Sequence, residues 1–328
     1  MSLTACRVFR ENDTTAARLV EMPDDDLTPG EVVIRAEWSG VNFKDALGVT
    51  GRAPIFKRLP LNAGIDVSGR VESSSDPRFT PGDQVLVSGM GLGESRDGGF
   101  AQRVRVPADW VVPLPAGLDL REAMVLGTAG FTAALALHRM EANGQVPDKG
   151  PIAVTGATGG VGSAAVSMLS RRGYQVVAVT GRPEHEGYLR DLGARQVSTP
   201  DGLNLGSRPL ESVRFGGAID NVGGALLAGL LRHVALWGNV AAIGNAGGTG
   251  FEGNVFPFIL RGVSLLGASS ANCPMPLRTE IWNRLGAELR PRALDRIASR
   301  TVGLAEVIGA CESLMSRSAL GRVLVDCR

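Results

Sequence analysis

Two periodicities divide the chain. Up to about residue 122, apolar positions alternate with polar ones in short runs: Glu31 to Glu37 (EVVIRAE), Asp66 to Glu72 (DVSGRVE), Gln84 to Ser88 (QVLVS) and Gln102 to Pro107 (QRVRVP). A period of two residues is that of a half-buried strand, and Pro29-Gly30 and Pro81-Gly82 supply turns between the runs. Residues 1–122 therefore predict a compact, mostly antiparallel β domain. Over 123–274 the pattern changes to apolar runs that alternate with helical periods. Strands are predicted at Ile152 to Thr155, Gln175 to Thr180, Gln196 to Ser198, Gly217 to Asn221, Asn239 to Ile243 and Val263 to Gly267. Helices are predicted over Ser163 to Arg172, over Glu184 to Leu192 and near Gly224 to Val234. Six strands with helical crossovers make a doubly wound parallel sheet, so the fold class is α/β with a separate β-rich domain. Helices near 277–290 and 304–317 and a strand at Arg322 to Asp326 are expected to complete the first domain over about 275–328.

Glycine accounts for 44 of 328 residues. That is about 13% against an average near 7%, in clusters without a collagen-like period. The most informative cluster is Ile152-Ala-Val-Thr-Gly156-Ala-Thr158-Gly159-Gly160-Val161-Gly162-Ser, set between a β-branched strand and an Ala-rich helix. That context is the one a dinucleotide fingerprint requires. Gly156 permits the tight turn, Gly159 and Gly160 let backbone amides approach a pyrophosphate, and Gly162 permits close packing at the positive end of the helix. Thr158 and Val161 belong to the same candidate coenzyme loop. The next strand ends Thr180-Gly181-Arg182, where an NAD site would carry Asp or Glu for the ribose 2′-hydroxyl. Arg182 instead offers charge-assisted hydrogen bonds to a 2′-phosphate and Thr180 a hydroxyl, so the expected coenzyme is NADPH.

Charge narrows the partners. Lys+Arg 34 against Asp+Glu 33 leaves a net charge of +1, and no global field draws the chain to nucleic acid or to an acidic membrane. No apolar run approaches 18 residues, and the N-terminus has neither a basic n-region nor an apolar h-region, so no membrane and no export signal are expected. Cys6, Cys273, Cys311 and Cys327 are scattered without metal-ligand or disulfide spacing, which suits a reduced cytoplasmic protein.

The stretches NFKDALGVTG, LNAGIDVSGRVESS, PGDQVLVSG, GTAGFTAALAL, VTGATGGVG, TGR and VFPFILRGVSLLGASS together make the chain resemble the medium-chain dehydrogenase/reductase superfamily. Within it the likeness is to the zinc-free, quinone-oxidoreductase-like branch and its acryloyl-CoA reductase group, along nearly the whole chain. The resemblance implies a GroES-like catalytic domain, a Rossmann NADPH-binding domain and a homodimer. Zinc-dependent relatives carry a Gly-His-Glu segment that reads Gly64-Ile65-Asp66 here, and His138, His185 and His233 are the three histidines. No metal is expected. The resemblance also places Asn42 at the nicotinamide ribose, Phe43 beside the coenzyme, Thr128 near its phosphates, and Asn245, Ile259 and Ser270 at the nicotinamide half. Asn221 and Gly244 end parallel strands at the carboxyl edge, where a doubly wound sheet binds its ligand.

The implied reaction sends hydride to the Cβ of an α,β-unsaturated acyl-CoA and collects negative charge on the thioester oxygen, so it needs orientation and electrostatic donors. Asn42, Lys44 and Asp45 are the catalytic candidates, with Lys44 as the charge near the enolate or the phosphates and Asp45 holding it in place; a surface pair that only shapes the loop is the alternative. Phe43 replaces the family's usual Tyr, and Met90 and Asp97 stand where relatives often show tryptophans, so the substrate region is expected to differ there. The run Arg52-Ala-Pro-Ile-Phe-Lys57-Arg58 is a candidate for the phosphates of coenzyme A, against the alternative of solvated surface charge. Two other functions stay open: an NADPH:quinone or general enone reductase, and a non-catalytic NADPH-binding protein.

Overall fold

The computed structural model describes residues 2–12, 14–316 and 318–328 and divides into two compact units. The first comprises Met1–Thr128, Ala271–Gly286 and Ala298–Arg328, the second Ala129–Ser270 and Ala287–Ile297.

The first unit is β-rich. Ser2–Glu11 and Thr14–Pro23 form an antiparallel hairpin that the sequence pattern does not announce, and Leu61–Asn62 adds a short third strand. A second sheet runs in the order Ala298–Gly303, Arg322–Asp326, Val32–Gly40, Asp66–Ser74, Gln84–Ser88, Val112–Pro113, and Arg103–Val106 also pairs with Val32–Gly40. The last strand of the chain thus pairs Leu324 with Gly40, which carries Arg322 to the start of the 41–45 motif. Val32, Ile34, Val67, Val85, Val104, Val323 and Val325 fill the core, as alternation along the strands requires.

The second unit is the parallel sheet. Its order is Gln196–Ser198, Val176–Val179, Ile152–Thr155, Phe215–Asp220, Val234–Ala242, Ser264–Gly267, every pair parallel. With the strands numbered along the chain this is 3-2-1-4-5-6, the order of a dinucleotide-binding fold, with its switch point at Ile152–Thr155. Residues 287–297, expected with the first domain, belong here instead. Helix Leu294–Ile297 packs on helix Gly160–Arg171, Arg296 pairs with Asp191 at 2.7 Å, and Arg171 donates to the Arg290 carbonyl at 2.9 Å.

Leu120–Ala142 is a 23-residue helical run broken at Gly127. Its length and composition suffice to cross a membrane, contrary to the expectation of no such stretch, but most of it is buried in protein as a core helix is.

Candidate coenzyme and substrate sites

In the second unit the glycine loop joins strand Ile152–Thr155 to helix Gly160–Arg171. Gly156 takes the left-handed φ of 58°, and a Cβ on Gly162 would lie 2.3 Å from the Gly156 carbonyl oxygen, so the first helical turn closes on the loop only because both are glycine. Around this cradle the polar groups interlock. The Thr158 and Thr180 hydroxyls meet at 3.2 Å, Arg182 Nη2 donates to Thr158 Oγ1 at 2.8 Å, and the Arg182 N–H donates to Thr180 Oγ1 at 3.1 Å. Thr158, Thr180 and Arg182 thus form one closed group at the end of the second strand. Gly181 in its midst is exposed, and a Cβ added there would meet nothing.

The carboxyl edge of the sheet is tied by Asp220 and Asn221. Asp220 accepts from the Thr155 hydroxyl at 2.6 Å and from the Gly223 N–H at 2.7 Å, and burial pushes its carboxyl above the usual range. Asn221 donates from Nδ2 to the Thr155 carbonyl at 2.7 Å. Gly244 and Asn245 follow the next strand and are exposed. Ile259 lies on helix Phe256–Arg261 and is 68% exposed, and Ser270 is half-buried.

In the first unit the 41–45 motif caps helix Phe43–Val49, and a buried network forms under it. Asp45 Oδ2 accepts from the Asn42 N–H at 2.9 Å, the carboxylate half of a capping box, and Oδ1 accepts from the Ile65 N–H at 2.9 Å. Asp66 is the hub. It accepts from Asn42 Nδ2 at 2.7 Å, from the Thr128 hydroxyl at 2.6 Å, from the Thr128 N–H at 2.9 Å and from Arg322 Nη2 at 3.4 Å. Arg322 Nη1 donates in turn to Asn42 Oδ1 at 2.7 Å and to the Val41 carbonyl at 2.9 Å. The break at Gly127, φ 47°, makes room for this pair, because a Cβ there would lie 2.5 Å from Asp66 Oδ2 and 2.7 Å from Arg322 Nη2. Burial and the Asp66 charge push the Asp45 carboxyl up to about 7, against the donated N–H groups of Asn42 and Ile65 that pull it down.

Several expectations need correction. Asp45 does not hold Lys44, whose ammonium lies 2.9 Å from Glu94 Oε1 while Asp45 faces inward. Asn42 has each side-chain polar atom paired inside the network, with Gly40, Asp45, Asp66 and Arg322, so it positions the helix start. Thr128, expected beside coenzyme phosphates, gives its N–H and hydroxyl to Asp66. Asp97 is no cleft residue: it is buried, accepting from the Thr28 N–H at 2.8 Å, the Asn62 N–H at 2.9 Å and Arg7 at 3.3 Å. Met90, at φ 59°, donates its N–H to the Ala271 carbonyl, and Phe43 is 47% exposed. Arg52, Lys57 and Arg58 are exposed and make no ion pair with any described residue. The Lys57 N–H donates to the Glu94 carbonyl at 2.7 Å, so Glu94 joins Lys44 to the basic run. Among the described residues no three His, Cys, Asp or Glu side chains come together to hold a metal ion.

Sequence reasoning missed Arg322, Glu94 and the hub role of Asp66. The one local signal of Arg322 and Asp66 is a charge at the head of an apolar strand, as in Arg322-Val-Leu-Val and Asp66-Val67, and Glu94, in a glycine-rich turn, carries none.

The Alcohol dehydrogenase GroES-like domain family matches residues 28–116, and the Zinc-binding dehydrogenase family matches residues 160–285. Acrylyl-CoA reductase AcuI of Ruegeria pomeroyi is 44% identical over 317 residues, 96% of each chain. Of solved structures, the YhdH oxidoreductase of Salmonella enterica in complex with NADP is 42% identical with a TM-score of 0.95 over 100% of each chain. The YhfP protein of Bacillus subtilis, solved with NAD bound, is 45% identical with a TM-score of 0.96 over 99% of each.

Proposed function

The chain belongs to the medium-chain dehydrogenase/reductase superfamily, in the group that holds AcuI and YhdH, and on that footing we propose that it is an NADPH-dependent reductase of an α,β-unsaturated acyl-CoA, acryloyl-CoA or a close analogue. The observation that carries the coenzyme half is the closed group Thr158, Thr180 and Arg182 at a strand end that has no carboxylate. A carboxylate there would repel a 2′-phosphate, whereas a guanidinium already seated on Thr158, on a backbone that Thr180 holds, receives one with little reordering. The donor set fits the coenzyme: loop 156–162 with its glycine cradle for the pyrophosphate, and Asn221, Gly244, Asn245, Ile259 and Ser270 as the group toward the nicotinamide. When bound, NADPH supplies the hydride that reaches Cβ of the substrate.

The chain's own residues supply orientation and charge. Arg322 and Asp66 hold Asn42, Asn42 and Asp45 hold the start of helix Phe43–Val49, and that helix presents Phe43 and Lys44. Lys44, steadied by Glu94, is the cation for a developing enolate oxygen or a phosphate of the substrate, and Arg52, Lys57 and Arg58 are a further anion surface for coenzyme A. Met90 and Phe43 are read as walls for the acyl group. No step needs a metal.

The four cysteines are free and buried, which accords with a reducing compartment, and a cytoplasmic location is proposed. A homodimer is proposed as well. Leu236, Trp237, Val255 and Leu260 are each more than half exposed in the second unit, Trp237 in a left-handed conformation over Gly262, where the sheet ends at edge strand Ser264–Gly267.

Oxidation of NADPH and NADH with acryloyl-CoA, crotonyl-CoA and a quinone in parallel tests the function. The highest kcat/KM is expected for NADPH with acryloyl-CoA; a quinone or a simple enone reduced faster than either thioester would replace this function with the general enone one, and turnover of none of them would leave a binding protein.

A further inference from the structure

The chain contains two tyrosines, and one stands at the coenzyme loop with no part in the function so far. Tyr188 lies in helix Glu186–Asp191, one short turn beyond Arg182. Its hydroxyl donates to Ser163 Oγ at 2.9 Å, and Ser163 Oγ donates to the Ala157 carbonyl at 3.2 Å. Ser163 is buried in the first turn of helix Gly160–Arg171, and its N–H donates to the Gly159 carbonyl at 2.8 Å. Ala157 is held from the other side by its N–H, which donates to the Val179 carbonyl at 3.1 Å.

These bonds fix the peptide between Ala157 and Thr158, and Thr158 seats the Arg182 guanidinium through its hydroxyl. Residues 182–188 are therefore stapled to the loop at both ends, Arg182 on Thr158 and Tyr188 on Ser163. A guanidinium on a long flexible stem loses rotamer freedom when it binds an anion, and a frame that has already ordered it removes part of that cost. Thr158, Thr180 and Arg182 are local to the phosphate position, while Tyr188 reaches it only through the loop.

We propose that Tyr188 is a positioning residue for coenzyme selection, acting through Ser163 and Ala157 to hold Thr158 and Arg182 in the orientation that receives a 2′-phosphate. The role rests on Arg182 being the 2′-phosphate ligand. An acyl-CoA substrate does not enter it.

The test is the binding of NADPH and NADH, each titrated by calorimetry, to the wild-type chain and to Tyr188→Phe, Ser163→Ala, Arg182→Ala and the Tyr188→Phe/Arg182→Ala pair, with melting temperatures checking that each is folded. Tyr188→Phe is expected to weaken NADPH about five-fold, the scale of one neutral hydrogen bond, and NADH less than about two-fold. Ser163→Ala cuts the same relay from its other end and should shift NADPH in the same direction. In the Arg182→Ala background the tyrosine change should add almost nothing, because what it positions is gone. Equal weakening of both coenzymes by Tyr188→Phe, no weakening at all, or full additivity with Arg182→Ala would overturn the positioning role. If Arg182→Ala itself weakened NADPH and NADH equally, the phosphate assignment would fall first and the role of Tyr188 with it.

Discussion

Arg322 is the group whose loss should be felt most. It is almost wholly buried, donates to Asn42 and to the Val41 carbonyl, and faces Asp66, which is fully buried. Asp45 lies in the same network through Asn42. Replacing Arg322 with Met keeps the volume roughly and removes the cation that donates into this network, so that the buried Asp66 loses the guanidinium beside it. Removing one partner of a buried pair costs about 3–5 kcal/mol, and the carbonyl of Val41 is left without its donor as part of that figure. The pH dependence follows from Asp45. Its folded value near 7 lies above the ordinary 3.8, so the native state holds the proton more tightly. Stability from this group is complete below about pH 4 and is lost as pH rises toward 7. Without Arg322 the carboxyl rises further, and the loss extends to higher pH. Denaturant unfolding at about pH 5.5 and about pH 8 measures this, read from Trp38, Trp110 and Trp282 of the first unit in a Trp237→Phe background, so that the second unit contributes no tryptophan signal. Arg322→Met should lose more at the higher pH, and adding Asp66→Asn should recover part of it. A loss under about 1 kcal/mol at pH 8, or the same loss at both pH values, would refute the assignment of Arg322 as the counter-charge of this network.

Two further expectations concern the anion sites, and one the thiols. Arg182→Ala should weaken NADPH binding by about 1.5–3 kcal/mol, the scale of a hydrogen bond to a charged group, and leave NADH nearly unchanged, as equilibrium titration of both coenzymes will show. Neutralising Lys57 and Arg58 together should raise KM for an acyl-CoA but not for a quinone, and the effect should shrink with added salt because exposed charges are screened beyond about 8 Å at physiological ionic strength; an unchanged KM would remove the basic run from substrate binding. Cys6, Cys273, Cys311 and Cys327 are buried, and burial pushes their thiols up, Cys6 to about 12, so a disulfide reagent should find essentially no fast-reacting thiol until denaturant is added.

What the sequence made legible was local. The strands Gln84–Ser88, Ile152–Thr155, Gln196–Ser198 and Arg322–Asp326 follow from apolar runs between turn residues, and the parallel sheet follows from their alternation with helices. The coenzyme loop is legible for the same reason: its glycines, Thr158, Thr180 and Arg182 lie within 27 residues. The first-unit network is not local. Asn42 and Arg322 are 280 residues apart, Asp66 and Thr128 are 62 apart, and Asp97 finds Thr28 across 69. Nothing in a window of sequence distinguishes a buried Asp that accepts from distant backbone from one that faces a substrate, which is why the sequence pattern sets Asp97 and the Lys44–Asp45 pair beside the chemistry. The hairpin Ser2–Glu11 and Thr14–Pro23 escaped because Arg7, Arg10 and Arg18 interrupt its alternation; Arg18 is accommodated by Glu11 and the face of Phe9.

The identity of the proton donor can be narrowed from the tyrosines. Position 43 is Phe, which has no phenol to give a proton, and the two tyrosines of the chain both lie in the second unit with their hydroxyls engaged. Tyr174 donates to the Gln145 carbonyl at 3.0 Å and is pushed up to about 12 by burial; Tyr188 donates to Ser163 and is also pushed up by burial. A donor with a pKa so far above neutrality, whose proton already lies in another hydrogen bond, is a poor general acid. Protonation at Cα should therefore come from water or a non-phenolic group. Tyr174→Phe should leave kcat within about two-fold, and Tyr188→Phe should alter NADPH binding without lowering kcat at saturating coenzyme. The kcat profile of the wild-type enzyme should show no limb near pH 10 that either change removes. A fall in kcat of about ten-fold or more in either variant, with coenzyme bound and the chain folded, would restore a tyrosine to the chemistry and contradict the hydrogen bonds that now occupy both hydroxyls.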